Sequence, residues 1–195
     1  MKRLLFAAAT TVCGAAIAIS ILTAPLAAKN DDDNDNGNGN SRVQRGFDLA
    51  PVTLTTKGLN KALVGEGSYI VNTSGCNDCH TNPPYAEGGD PFLGQKEQIN
   101  TDGYLGGGMA FGPLFTSRNL TPRASNGRPA GLTLAQFTEA LRKGTDFKNA
   151  HPLISPLLQV MPWPVYGKLS DREIEAVYEY LRAIPCVGNA ARCGA

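Results

Sequence analysis

Apolar and polar positions along the chain fall into blocks of quite different character. Residues 1–28 begin with Lys2 and Arg3, run apolar from Leu4 to Leu26 and end on small residues, which is the pattern of a secretory leader with cleavage expected after Ala28. Residue Leu26 stands where an Ala-x-Ala site wants a small side chain, so an uncleaved membrane anchor is the alternative. Residues 29–40 (KNDDDNDNGNGN) contain no apolar side chain and cannot bury enough surface to offset the ordering of their backbone. Residues 41–56 sustain neither a two-residue nor a helical period, and are expected to form an extended arm over the domain. Leu59, Leu63, Gly67 and Ile70 then recur at helical spacing with Val71 beside them, predicting a first helix that begins near Lys57. Gly67 interrupts that stripe, which implies either the close approach of another backbone or a local loss of helicity.

Residues 81–112 are rich in Gly and Pro, and a loop of that length in a compact domain calls for a function such as walling a ligand. A second helix is predicted over 133–143. Thr133 and Gln136 form a capping box, Leu134, Phe137 and Leu141 supply the apolar face, and Gly144 stops it. A third is predicted from Ser170 to Pro185, with Ser170 and Glu173 as capping box and Ile174, Val177, Tyr178 and Leu181 on one face. Nothing between these segments alternates as a strand. The expected class is all-α, organised as a leader (1–28), an acidic linker and arm (29–56), one helical domain (57–185) and a short tail (186–195).

The chemistry concentrates at Cys76-Asn77-Asp78-Cys79-His80. In C-x-x-C-H two thiols three positions apart can bond the two vinyl groups of one haem, and the adjoining histidine can reach its iron. With five Cys and two His in the chain, chance composition yields the pattern roughly 0.001 times. A redox-active C-x-x-C and half of a zinc site are the competing readings. Zinc would need a second ligand pair, and the other histidine, His151, is far downstream without one. One covalent haem c held by Cys76 and Cys79, with His80 on the iron, is the expectation. For the opposite face the candidates are Met161, Met109 and His151, with a lysine as a rarer option. Met161 is favoured because Pro162 and Pro164 stiffen the loop that would present it, whereas Met109 follows three glycines and reads as a gap-filler. Arg118, Arg123 and Trp163 are candidates to contact the haem propionates.

Charge and cysteine usage place this chemistry in a compartment. Covalent haem attachment and stable disulfides both belong on the oxidising side of a membrane, which agrees with a leader and with the bacterial periplasm. Cys13 lies inside the apolar leader, preceded by Val12 where a lipobox wants a small residue. Cys186 and Cys193 can close a small loop as a disulfide. Without residues 1–28 the chain carries 16 basic and 17 acidic residues, a balance that gives no reason to expect a nucleic-acid partner. The Asp/Asn/Gly run lacks the distant glutamate and apolar flanks of a calcium loop, the glycine triplet at 106–108 lacks the strand and helix of a phosphate loop, and the two Asn-x-Thr/Ser matches are of a kind that occurs by chance.

A haem motif after one helix, a Met-Pro ligand loop and an amphipathic last helix together resemble class I cytochromes c. That resemblance implies first and last helices that cross closely, at Gly67 and Tyr178. More narrowly, Tyr104-Leu105-x-Gly107-Gly108 with Phe111, Ser117-x-Asn119-Leu120-Thr121-Pro122, Phe137, Ala140-Leu141-Arg142-x-Gly144 and Met161-Pro162 are similar to the haem domains of cytochrome subunits of bacterial membrane-bound alcohol and sugar-acid dehydrogenases. Those subunits carry three haem motifs and this chain one. Arg123 replaces an acid usual after the Asn-x-Thr-Pro segment, and Leu132 stands where a tryptophan is common. With both axial positions filled by His80 and Met161, the expected function is periplasmic electron transfer and not catalysis: single electrons from a donor dehydrogenase or membrane complex to an oxidase or another cytochrome. The alternatives are a peroxidase-like haem enzyme or a haem-based sensor, both with an open sixth position.

Overall fold

Three helices packed through glycines carry the structure, a computed structural model that describes residues 38–147 and 155–193. The elements in order are α1 (Asn38–Leu49), α2 (Lys61–Thr73), α3 (Cys76–His80), a 3-10 turn (Pro91–Leu93), β1 (Ala110–Phe111), β2 (Phe115–Thr116), α4 (Leu134–Lys143), α5 (Trp163–Tyr166), α6 (Asp171–Ala183) and α7 (Ala190–Cys193). The described part is thus predominantly helical, as expected, with β1 and β2 forming one two-residue antiparallel ribbon. The leader, the acidic run up to residue 37 and His151 lie outside the described residues.

α2 is the central element. Asn60 caps it, its side chain accepting from Ala62 N and Leu63 N at 3.0 and 3.3 Å. The helix therefore starts at Lys61, later than expected, because Gly58 takes a left-handed turn (φ +77°) just upstream. Gly65 and Gly67 lie two residues apart, hence about 200° around the helix, and open opposite faces. At Gly65 a Cβ would come within 2.6 Å of Val43 O on α1; at Gly67 it would strike the carbonyl of Ala176 on α6. Close backbone approach, not lost helicity, accounts for the glycine at 67. Its neighbours on the last helix are Ala176 and Tyr180. Tyr178, which was expected at this crossing, turns the other way, stacking edge-on against Phe137 of α4 and donating to Leu132 O at 2.9 Å.

α1 corrects the expectation of an extended arm. Val43, Gly46, Phe47 and Ala50 stand at helical spacing, but with a glycine among them and an Asn/Gly-rich start the stripe is faint in sequence. The helix forms because α2 offers it a partner: Gly46 lies against Gly65, its carbonyl accepts from Ser68 Oγ at 2.6 Å, and Arg42 and Arg45 cover the Tyr69 ring. Helices this short draw their stability from such packing rather than from propensity.

α4 and α6 begin and end where expected, with both capping boxes formed and Gly144 closing α4 in the left-handed region. Behind α2 and α6 lies a ring of buried polar atoms. Tyr104 donates to Asn72 Oδ1 at 2.6 Å, Asn72 Nδ2 to Tyr180 OH at 3.3 Å, and the two hydroxyls are 2.9 Å apart, so Tyr180 closes the ring by donating to Tyr104. This is where the glycine-rich run 81–112 packs, with Tyr104 and Leu105 both fully buried.

Candidate functional site

An apolar cavity opens between α2, α4, α5 and α6, and Cys76, Cys79, His80 and Met161 all line it. Ile70 and Val71 of α2, Phe137 and Leu141 of α4 and Val177 and Leu181 of α6 give it hydrocarbon walls; Arg118 and Asp146 are its charged residues. Of the long run 81–112 only Phe111 reaches the cavity. The wall role expected of that loop belongs instead to segments 115–120, 130–132 and 157–162, and of the loop Tyr104 and Leu105 pack on the core behind while residues 91–98 are exposed.

The Cys-His segment is positioned by backbone. Gly75 (φ +72°) breaks the path of α2, and α3 then turns the two thiols and the imidazole toward the cavity. Thr81, just past α3, donates through Oγ1 to Asn77 Oδ1 at 2.6 Å and through N–H to Asn77 O at 3.0 Å, and its Oγ1 accepts from Leu105 N at 2.9 Å, tying α3 to the core. His80 Nδ1 lies 2.7 Å from Arg118 O, so Nδ1–H donates to that carbonyl and Nε2 is left with its lone pair. The His80 carbonyl accepts from Gly107 N at 2.6 Å. Burial lowers the His80 pKa, with the bond to Arg118 O opposing, so the ring is held neutral as a metal ligand must be.

Both thiols are pushed the other way. Burial first, then the neighbouring Cys79 thiol, raise Cys76 to about 12, and burial and Asp78 raise Cys79. A redox-active C-x-x-C works through a lowered thiolate pKa, so this environment speaks against the thioredoxin-type reading. Nor does zinc gain support, since among the described residues no three His, Cys, Asp or Glu side chains gather at a common point. Two neutral thiols and an oriented, neutral imidazole on one apolar cavity are a donor set that fits a covalently bound haem.

Met161 reaches the same cavity by a chain of local constraints. Leu158 N donates to Gly144 O at 2.7 Å and Asp146 N to Pro156 O at 2.9 Å, which lays the incoming segment beside the end of α4. Downstream, Trp163 N donates to Met161 O at 2.8 Å as α5 begins, and Tyr166 OH donates to Ser74 O at 2.8 Å, linking α5 to the end of α2. The prolines thus lead into a short helix and not an extended loop. Met109 is half-buried and is not among the cavity-lining residues. Trp163 covers Gly144 and Arg123 lies at another site, leaving Arg118 as the one of the three propionate candidates that lines the cavity. Arg118 is clamped by Asp146, its Nη2 donating to both carboxylate oxygens at 2.5 and 2.6 Å. Sequence reasoning missed Asp146 and the Arg118 carbonyl. An isolated Asp in a loop carries no signal of a partner 28 residues away, and a backbone carbonyl carries none at all.

The chain is similar to cytochrome c subunits of bacterial dehydrogenases. It is 34% identical over 123 residues to the cytochrome c subunit of the quinone alcohol dehydrogenase of Gluconobacter oxydans (strain 621H), covering 62% of this chain and 21% of that one. Identity is 30% over 135 residues to the fructose dehydrogenase cytochrome subunit of Gluconobacter japonicus, 67% of this chain and 23% of that one. To the gluconate 2-dehydrogenase cytochrome c subunit of Pantoea cypripedii it is 31% over 121 residues, 62% and 23%. The chain therefore spans less than a quarter of the length of these relatives. No protein-family model matches it, and no solved structure matches it significantly.

Proposed function

We propose that the protein is a mono-haem c-type cytochrome that carries single electrons in the periplasm. In this reading Cys76 and Cys79 hold the haem covalently, and His80 and Met161 are its axial ligands. The observation that carries it is the convergence of these four side chains on one apolar cavity. A haem bound there supplies reversible one-electron chemistry at its iron. The residues would do the rest: the Arg118 carbonyl fixes the His80 ring, Met161 would ligate the iron and keep small ligands from it, and its thioether together with the hydrocarbon walls would favour the less charged, reduced state.

Leu157 and Val160, each about two-fifths exposed, and Phe147 stand at the cavity while remaining open to solvent. Apolar side chains beside a cofactor edge suit brief, small-area docking of a redox partner. By similarity to dehydrogenase cytochrome subunits, the donor is a dehydrogenase or membrane complex and the acceptor an oxidase or another cytochrome. Export by the leader at 1–28 fits haem attachment on the oxidising side. Among the described residues no helix is long and apolar enough to cross a membrane; membrane association would come through an uncleaved leader.

The test is the optical spectrum of the oxidised protein. The weak far-red band of a methionine-to-ferric-iron bond is expected in the wild type and absent in Met161→Ala. A high-spin spectrum with ready binding of carbon monoxide or cyanide in the wild type would replace the carrier with an enzyme or sensor.

A further inference from the structure

Away from the cavity, two arginines share a second pocket. Arg192 lies on α7, inside the loop closed by the Cys186–Cys193 disulfide. Its Nη2 donates to Thr121 O at 2.6 Å and Asn119 Oδ1 at 2.7 Å, both neutral acceptors, while its Nε–H is buried with no hydrogen-bond partner. Arg123 lines the same pocket together with Ser125 and Asn189. No acidic residue lines it, and neither arginine belongs to any ion pair among the described residues. Burial, and after it the charge of Arg123, make the Arg192 cation harder to hold.

Two arginines on one pocket without a carboxylate are an arrangement that an anion would relieve, and a small shift of the Arg192 side chain would let its unpartnered Nε–H share in binding. Two bonds keep the segments of the two arginines together: Ala124 N donates to Arg192 O at 3.1 Å, and Val187 N to the side-chain Oγ1 of Thr121 at 3.1 Å. The Asn189 side chain accepts from Arg192 N through Oδ1, which leaves its amide N–H groups as donors, and Ser125 adds a hydroxyl. We propose that Arg123 and Arg192, with Ser125 and Asn189, form a binding site for a phosphate group, taken either as the free ion or on a small phosphomonoester. Two guanidinium groups match the double charge and several oxygens of such a group better than the single charge of a carboxylate. The pocket shares no lining residue with the cavity of His80.

The experiment follows the thermal midpoint of the purified full chain during titration with inorganic phosphate, ionic strength being held constant with chloride. A saturable rise is expected, with affinity reduced at least tenfold in Arg123→Gln, a variant at an exposed position that makes no side-chain bond in the fold. Arg192→Gln should lose the response as well, but it also surrenders the bonds to Asn119 and Thr121, so Arg123→Gln decides. No saturable rise over chloride, or an equal rise in Arg123→Gln, would overturn the proposal. A parallel titration with glycerol phosphate separates the sources: equal affinity points to a monoester, and binding of inorganic phosphate alone to the free ion. Haem content and redox state are kept the same in every titration, so the differences between variants report on this pocket and not on the cavity of His80.

Discussion

Gly67 on α2 lies directly against the Ala176 carbonyl of α6, leaving no room for a single carbon. Gly67→Ala must therefore part the two helices, and α2 against α6 is the main packing of the core. Overpacking ordinarily costs about 1–3 kcal/mol, and here the obstruction is backbone that no rotamer change can relieve. The expected loss is at the upper end of that range or beyond, read as a fall in the urea midpoint.

The buried hydroxyls of Tyr104 and Tyr180 close their ring with the half-buried Asn72. Tyr104→Phe leaves Asn72 Oδ1 and the Tyr180 hydroxyl short of a partner, for an expected loss of about 1–3 kcal/mol.

The same pair sets an alkaline limit. Burial raises both phenol pKa values above the 10.0 of a free tyrosine. The unfolded chain therefore loses these protons first, and the stabilisation is complete below about pH 10 and lost as pH rises past it. Unfolding free energy measured from about pH 9 to 11 should fall less steeply in Tyr104→Phe.

Arg118→Gln removes the cation from Asp146, whose side chain is only 7% exposed. Removing one member of this mostly buried pair is expected to cost up to about 3 kcal/mol. The loss should be largely recovered in the double variant Arg118→Gln/Asp146→Asn, which removes the charge too. Chemical denaturation of the three variants checks the cycle.

Reduction of Cys186–Cys193 opens a short loop. The chain-entropy relation gives about 2.5 kcal/mol for a ring of this size, and the tail would also release Asn119 Nδ2, which donates to Val187 O at 2.8 Å. A lower thermal midpoint under reductant, reproduced by Cys186→Ser/Cys193→Ser, is the expected result.

What the sequence revealed divides along physical lines. α4 and α6 were legible because capping boxes and apolar stripes are local, and the Cys-His motif because its spacing is chemical. The Cys186–Cys193 disulfide followed from cysteine count and compartment. α1 was not legible, since its stripe runs through Gly46 and its partner, Gly65, is itself a glycine: close packing replaces hydrophobicity as the cause. The exchange of Tyr178 for Tyr180 at the helix crossing has the same origin, because both positions are aromatic and only the approach of Gly67 distinguishes them. At the cavity, the side chains of the Cys-His motif and Met161 were named from sequence, whereas Asp146 and the main-chain partners were not.

That last distinction bears on how the centre could change over time. Both polar holds on His80 are main-chain atoms: the Arg118 carbonyl accepts from Nδ1–H, and Gly107 N–H donates to the His80 carbonyl. A replacement at position 118 can discard the guanidinium and its clamp, yet it cannot delete the carbonyl. The orientation of the ring is thus shielded from most single-codon changes around it, and the charge beside the cavity is free to vary separately. Gly107 is the exception. With φ +72° and the Arg118–Asn119 peptide against its α-carbon, it is the one place where a side chain would disturb both holds at once.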